Sequence, residues 1–552
     1  MPDFGALNWA IVFVYAVANL LLGWWMSRRV RTASDYHIGD RSTPWWAIGI
    51  SIVATYVSAL SFLGAPAWAY GSGMTALAIH INYPLVVFIT IVFFIPFFYS
   101  SGVASIYEYL ERRFGVRTRT VMGLIFLVTM TLGAGSMLTA TGIVLRSTMG
   151  LDIETGIIVM TAIVVLYTML GGMNAVIWTD VLQGIILTIG VVVVIICIMI
   201  AIPSFREALS FLQAHGKLDP IDARLDLSIP PTIWAGVIAM TLYHTTVYGA
   251  NQFMVQRALA AKTMADAKKS YMVIGYAAFA LYFMFFFVGA MLYVYYEGKP
   301  FKDPNEIILI FSQSLAIPGL MGILVAAIMS ATMSSASSAL NSLATISVTD
   351  FYERFIVKGA EDAHYLRACR IFTLVWGVAL VPVAIAFASS TGSILETLTA
   401  VGSYLVGAKL AMFGLGFFSK HTTERGLLVG VVAGFVALAV VGPIGPLVAP
   451  VDSLWSAVGL ERPKIAWPWF VVIGGVVNFV IGWAASILID GFQADWHEHS
   501  VKGVLRRYET EGRPVLQNGW YVVPGKVEKW VWLLPAYFVL TVLFLLWFGS
   551  LG

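Results

Sequence analysis

The sequence predicts an all-α polytopic membrane protein of about fourteen transmembrane helices, and three observations carry that prediction. Only 11% of the 552 residues are charged and 59% are hydrophobic, whereas soluble domains carry roughly 25% charged residues. Apolar runs of about 20 residues, enough to cross the hydrocarbon core, recur along the whole chain. Lys and Arg cluster in alternate connections between those runs, as the positive-inside rule requires.

The runs lie near 8–27, 44–70, 74–99, 120–145, 154–171, 176–202, 232–256, 270–296, 319–347, 371–388, 394–419, 426–446, 466–490 and 530–549. The first is expected to stay in the mature protein. Met1 to Asn8 carries no positive charge, and Arg28, Arg29 and Arg31 follow the apolar run instead of preceding it as in a signal peptide. A turn at Gly171-Gly172 separates the fifth span from the sixth.

Connections after odd-numbered spans hold 24 of the 33 basic residues, Arg257, Lys262, Lys268 and Lys269 among them, and the opposite set holds eight. This places the odd-side connections in the cytoplasm and both termini outside it, in a bacterial-type inner (plasma) membrane. The longest cytoplasmic segment, 491–529, reads as a surface loop with a short amphipathic helix.

Two spans carry interruptions. The second is interrupted at Gly64-Ala65-Pro66, with Ser51, Thr55, Ser58 and Ser61 upstream. The seventh contains Tyr243-His244-Thr245-Thr246 and then Tyr248-Gly249-Ala250-Asn251-Gln252. Paired interruptions in corresponding positions of two halves point to a transporter's binding site. Five spans separate the two starts, so the second set of five enters from the opposite side, the parity of an inverted repeat. The chain then divides into a leading helix and loop (1–43), a first five-helix repeat (44–202), an extracytoplasmic loop (203–231), a second repeat (232–419) and three accessory helices (420–552).

Within these spans a few residues carry chemistry. Asp180 sits four residues inside the sixth span, where an ionisable group costs up to about 2.5–3.5 kcal/mol and needs a partner unless it reaches interfacial water. The ninth span offers one, because Ala331, Ser334, Ser335 and Ser338 share a helical face and Ser337 adjoins it. Hydroxyls there are hard oxygen donors for a small alkali cation, although small residues also serve close helix packing. A neutral serine cluster favours sodium over a divalent ion, whose sites are built with several carboxylates.

Lys409 lies mid-span, about ten residues or roughly 15 Å from Lys420, too deep to snorkel, and should face a polar cavity or a carboxylate. His244 lies beside the seventh-span break, where it reads either as a ligand contact or as a hydrogen-bonded core histidine; His80 reads the same way. Neither Cys197 nor Cys369 suggests a disulfide or metal framework. The net charge of +3 gives no sign of nucleic acid. No nucleophile–base pair, His-rich metal pattern or phosphate loop appears in the spans, so an enzyme is not expected.

Pro44-Trp45-Trp46 leading to Ser51 and Ala54, Trp178-Thr179-Asp180 with Gln183, Gln256-Arg257 followed by Ala260-Ala261-Lys262, and the serine-rich Ser334 to Asn341 together resemble the sodium/solute symporter family. The resemblance covers roughly 36–430. It implies the LeuT-type five-plus-five inverted repeat with one extra N-terminal helix, Na+ as coupling ion, and a small-molecule substrate imported across the lipid bilayer by alternating access. Carried over by motif, a first sodium site takes carbonyls of Ala54 and Val57 with Ala331, Ser334 and Ser335. A second takes Asp180, Ser334, Ser337 and Ser338, so two ions are expected. Sugar-carrying relatives have carboxamides and a glutamate where this chain has Tyr56, Ser61 and Tyr83. The substrate is therefore expected to be a carboxylate or other organic anion, met by Tyr56, Ser61, Tyr83, His244 and Lys409. A sugar or other neutral solute is the alternative, and a sodium-linked channel or sensor on the same scaffold is the alternative of another class.

Overall fold

A computed structural model describes residues 4–103, 105–388, 393–442 and 448–552, apart from the side chains of 393–404 and 448–449. The end of the span expected at 426–446 lies outside the described residues. Helices dominate, and the strands among the described residues are the two short ones of a hairpin, Leu516–Gln517 and Trp520–Tyr521. Ten helices are long and apolar enough to cross a membrane, by length and composition, and two shorter apolar helices, Trp45–Tyr56 and Leu405–Phe418, accompany them. Their outer faces expose large apolar side chains such as Ile200 at 79% and Leu488 at 85%, which lipid rather than water can cover.

In chain order the elements used below are α1 (Ala6–Ser27), α2 (Trp45–Tyr56), α3 (Ala59–Ser72), α4 (Val116–Met149), α5 (Ile153–Ala201), α6 (Met240–Gly249), α7 (Gln252–Leu259), α8 (Met264–Tyr295), α9 (Leu320–Ile346), α10 (Asp362–Ala388), α11 (Ser393–Phe418), α12 (Glu424–Val441), α13 (Phe470–Asp490), α14 (Val501–Thr510) and α15 (Leu533–Gly549). α9 is the hub, buried from end to end and packed on α1, α2, α4, α5 and α10. Its Ala, Ser and Gly residues make that possible, since small side chains let helix backbones approach closely. A Cβ on Gly190 of α5, for example, would lie 2.4 Å from that of Ala327.

α5 spans 49 residues, about 74 Å of helix at 1.5 Å per residue, more than twice the roughly 30 Å core. It is interrupted at Gly172 (φ 50°, ψ −146°), where the Tyr36 carbonyl oxygen leaves no room for a side chain, 2.8 Å from an added Cβ. The turn expected at Gly171-Gly172 is thus present.

The second span breaks elsewhere than expected. α2 ends at Tyr56, Val57 and Ser58 are extended, and α3 runs on through Pro66. Gly64-Ala65-Pro66 therefore does not interrupt it. A proline removes one backbone donor, but neighbouring helices hold such segments helical in membranes, and Gly289 of α8 packs directly on the Pro66 backbone. The seventh span does break where its polar run predicts: α6 stops at Gly249, and Asn251 caps α7 by accepting from the Phe253 N–H.

Two connecting segments carry structure. The 203–231 connection contains the amphipathic helix Phe205–Ala214. In 491–529 the short amphipathic helix expected there is present as α14, but the segment is no plain surface loop. It contains α14 and the hairpin, and it docks on the bundle through the Gly525 N–H to Val92 O and Tyr109 Oη to His499 O. Glu528 holds Lys268 of α8 in a buried ion pair at 2.6 Å. Lys268 is accordingly not a loop cation.

Candidate functional site

The α2 end and the middle of α9 meet at Asp180 of α5. A helix terminus leaves its last carbonyls without intrahelical donors, and the break at Val57-Ser58 exposes those of α2 to α9. Ser335 Oγ donates to Thr55 O at 2.8 Å as well as to Ala331 O at 3.1 Å. Ala54, Val57, Ala331, Ser334 and Ser335 are all buried there. Thus the five residues predicted for the first sodium site sit on the two elements that Ser335 joins, with carbonyl and hydroxyl oxygens as the donor chemistry.

Asp180 is fully buried. Its Oδ1 accepts from Ser334 Oγ at 2.7 Å, while Oδ2 accepts from Ser51 Oγ at 2.5 Å, Thr55 Oγ1 at 3.1 Å and Arg257 at 3.0 Å. Ser337 and Ser338 donate to Ser334 O at 3.1 and 2.6 Å, and Ser338 Oγ also accepts from Arg257. The second set of predicted residues is therefore contiguous.

Arg257 corrects the sequence reading, which counted it among cytoplasmic loop cations. It lies on α7, is fully buried, and gives its Nε to Ser51 Oγ at 2.8 Å besides pairing Asp180. The carboxylate's partners are thus the serine row and an arginine together. The missed signal was Gln252 and Gln256, four residues apart, which mark a helical turn continuing inward past the break. Gln256 is buried and donates to Asn341 Oδ1 at 2.8 Å. Ser51 and Thr55, four residues apart on α2 and both donors to Asp180 Oδ2, were also not assigned to the site.

A second cluster occupies the space between the two breaks. Tyr56 of α2 lies 5.6 Å from the His244 ring and 5.2 Å from Tyr248, both on α6, and 6.1 Å from Tyr83 (centroid distances). His244 Nδ1 meets Asn82 Oδ1 at 2.9 Å, and Asn82 Nδ2 donates to Gly236 O, which fixes the amide and puts the imidazole proton on Nδ1. Ser61 Oγ lies 3.4 Å from Tyr282 Oη, and Tyr282 stacks on His80 at 3.7 Å. His244 is thus both hydrogen-bonded and beside the break. Its Nε2 is buried and has no partner among the described residues.

Lys409 does not join this cluster. Its ammonium stands 5.8 Å from the Phe126 ring of α4. Of the polar cavity or carboxylate expected for it, the described residues show neither in contact; its contact is this cation–π one. No group of three or more His, Cys, Asp or Glu that could hold a metal ion occurs among the described residues.

A bundle of broken helices with a buried carboxylate among hydroxyls at its centre has the architecture of an ion-coupled transporter of the LeuT-type fold. The sequence pattern of the sodium:solute symporter family matches residues 36–434, and the chain belongs to that family. It is similar to the sodium/sialic acid symporter SiaT of Proteus mirabilis, 31% identical over 79% of this chain and 90% of the relative. It is also similar to the Homo sapiens sodium/iodide cotransporter, 28% identical over 83% and 70%. Among solved structures, a substrate-bound outward-open Na+-coupled sialic acid symporter superposes with a TM-score of 0.79 at 27% identity, covering 88% of this chain and 99% of that one. The chain is a multi-pass membrane protein, a sodium-coupled symporter of a small molecule, and not an enzyme.

Proposed function

We propose that the protein imports a small hydroxylated carboxylate together with two sodium ions. The observation that carries this reading is Asp180 Oδ1, which accepts a hydrogen bond from Ser334 alone while Oδ2 is committed to three donors. An ion at Oδ1 would share Ser334 with the cage at the α2 break, so the two sites would be coupled through one hydroxyl. The first ion is assigned to Ala54, Val57, Ala331, Ser334 and Ser335, the second to Asp180, Ser334, Ser337 and Ser338.

For the solute, the hydroxyl of Tyr248, whose ring packs on Tyr83, is a donor for a carboxylate, and the free His244 Nε2 is an acceptor for a substrate hydroxyl. Tyr56, Ser61 and Tyr83 would close the walls. The similar proteins from Proteus mirabilis and Homo sapiens bear the names of an acid and of an anion, sialic acid and iodide, which agrees with an anionic solute. A neutral solute is the second reading, favoured by the absence of any cation in contact with this cluster among the described residues. Lys409 is withdrawn from the direct contacts.

Fourteen spans in a five-plus-five inverted repeat, with one leading and three trailing helices, complete the proposal, as do the boundaries at 43, 202, 231 and 419. The orientation puts both termini outside a bacterial-type plasma membrane. In its support, Gly552 packs against Gln213 and Leu218 of the 203–231 connection, and Asn8 against Gly322 at the start of α9, all on the side with few basic residues. A substrate panel in proteoliposomes with an imposed sodium gradient tests the solute. Saturable uptake of a hydroxy acid, inhibited more weakly by its deoxy analogue, is expected; non-saturating flux would indicate a channel instead.

A further inference from the structure

Where α14 docks against the end of the 83–101 helical segment and the helix Ile106–Arg113, the two enclose a pocket of about 210 Å³. Its polar lining includes Ser101, Arg112, Arg507, Arg513, His499 and Glu511, so three guanidiniums face one carboxylate. Part of that charge is already engaged. Arg112 pairs Glu108 at 2.5 Å and donates to Ser101 O, and Arg513 meets Glu511 at 2.7 Å. Arg507 is different: it makes no side-chain hydrogen bond or ion pair among the described residues, and its Nε is buried without a partner. A buried, unpaired guanidinium nitrogen costs free energy unless something accepts from it. His499 registers the same field. Burial, aided by Arg112, Arg507 and Arg113 against the opposing pull of Glu498, holds its imidazole below the usual range.

We propose that this pocket binds a phosphate-bearing anion, either an anionic phospholipid headgroup or free phosphate, which ties the 491–529 segment to the bundle. Guanidiniums match phosphate oxygens with paired donors, and basic pockets at the ends of membrane helices suit phosphorylated headgroups. Phe97 and Val504 supply an apolar wall, as a lipid's first carbons would need. Half of the lining, His499, Val504, Arg507, Glu511 and Arg513, lies in 491–529, beyond residue 434 where the family pattern ends, so the site joins the accessory segment to the family core.

The test is thermal unfolding of the purified full chain in neutral detergent, titrated separately with inorganic phosphate and with dioctanoyl-phosphatidylglycerol. Chloride at matched ionic strength and dioctanoyl-phosphatidylcholine are the controls. A saturable rise in Tm with either probe, its apparent affinity weakened at least tenfold in Arg507→Gln/Arg513→Gln, is the expected result. Response to phosphate identifies a free anion, and response only to the anionic lipid identifies a headgroup. The sodium-induced rise in Tm, measured on the same variant, verifies folding. No rise with either probe, a rise equalled by the controls, or one that persists in the folded double variant overturns the proposal.

Discussion

At Asp180 an arginine and a serine row divide one carboxylate, and the division sets what single substitutions should do. Removing one partner of a buried ion pair leaves the other uncompensated, typically at a cost of about 3–5 kcal/mol. Arg257→Gln should therefore unfold at lower temperature than the wild type in potassium buffer. It should recover a larger part of the loss in sodium buffer, because Na+ can then neutralise Asp180; equal losses in the two buffers would contradict the second-ion assignment. Asp180→Ala should lower the Hill coefficient for sodium in uptake assays toward one while leaving residual transport. Ser334→Ala, which removes the hydroxyl shared by both proposed ions, should abolish coupled uptake. Lys409→Ala should leave substrate affinity unchanged, as its contact is Phe126; a tenfold loss of affinity would restore it to the binding site. Asp180 and the serines could be read from sequence because a polar residue in an apolar run stands out. Arg257 could not, because a short inward helix after a break looks, in one dimension, like the first charges of a loop.

Elements differ in how plainly sequence declares them. Span positions were legible because bilayer thickness imposes a length, and the Gly172 turn because few other residues could adopt its backbone. The α2–α3 break was not. It falls at Val57-Ser58, residues with no breaker signature, and is held open by a donor from another helix, Ser335 to Thr55 O. Pro66 misled for the converse reason, since packing against Gly289 keeps its helix intact. The docked 491–529 segment was hidden too, because Lys268–Glu528 joins residues 260 positions apart. Glu528→Ala should leave Lys268 buried and unpaired, and proteolysis between 491 and 529 should accelerate at least tenfold relative to wild type.

This segment should also be acid-labile. Burial, with Arg113 and His499 adding to it, lowers the His497 pKa to about 4 from an ordinary 6.5. The unfolded segment thus binds a proton that the docked one resists. Its docking should be complete above pH 6.5 and weaken as pH falls toward 4. Hydrogen exchange over Val501–Thr510, corrected for intrinsic rates, should show protection declining across that window, and a pH-independent protection factor would contradict it.

For the molecule as a whole, the two helix breaks, the carboxylate and the aromatic cluster sit within one buried region where α2, α5, α6, α7 and α9 converge. Under the proposed assignment, that convergence would let ion occupancy bias the geometry of the solute site. Each sodium entering gains roughly 2.3 kcal/mol per 100 mV of membrane potential, and a tenfold gradient adds about 1.4 kcal/mol. Two ions then supply on the order of 7 kcal/mol, enough to concentrate a neutral solute roughly 10⁵-fold, and less for a monoanion moving against the potential. Stoichiometry is therefore the quantity on which the account turns. It is measured most directly by the paired uptake of radioactive sodium and labelled substrate into voltage-clamped proteoliposomes. The account predicts two sodium ions per substrate in the wild type and one in Asp180→Ala. A ratio of one in both, or substrate accumulation that proceeds equally without a sodium gradient, would contradict it.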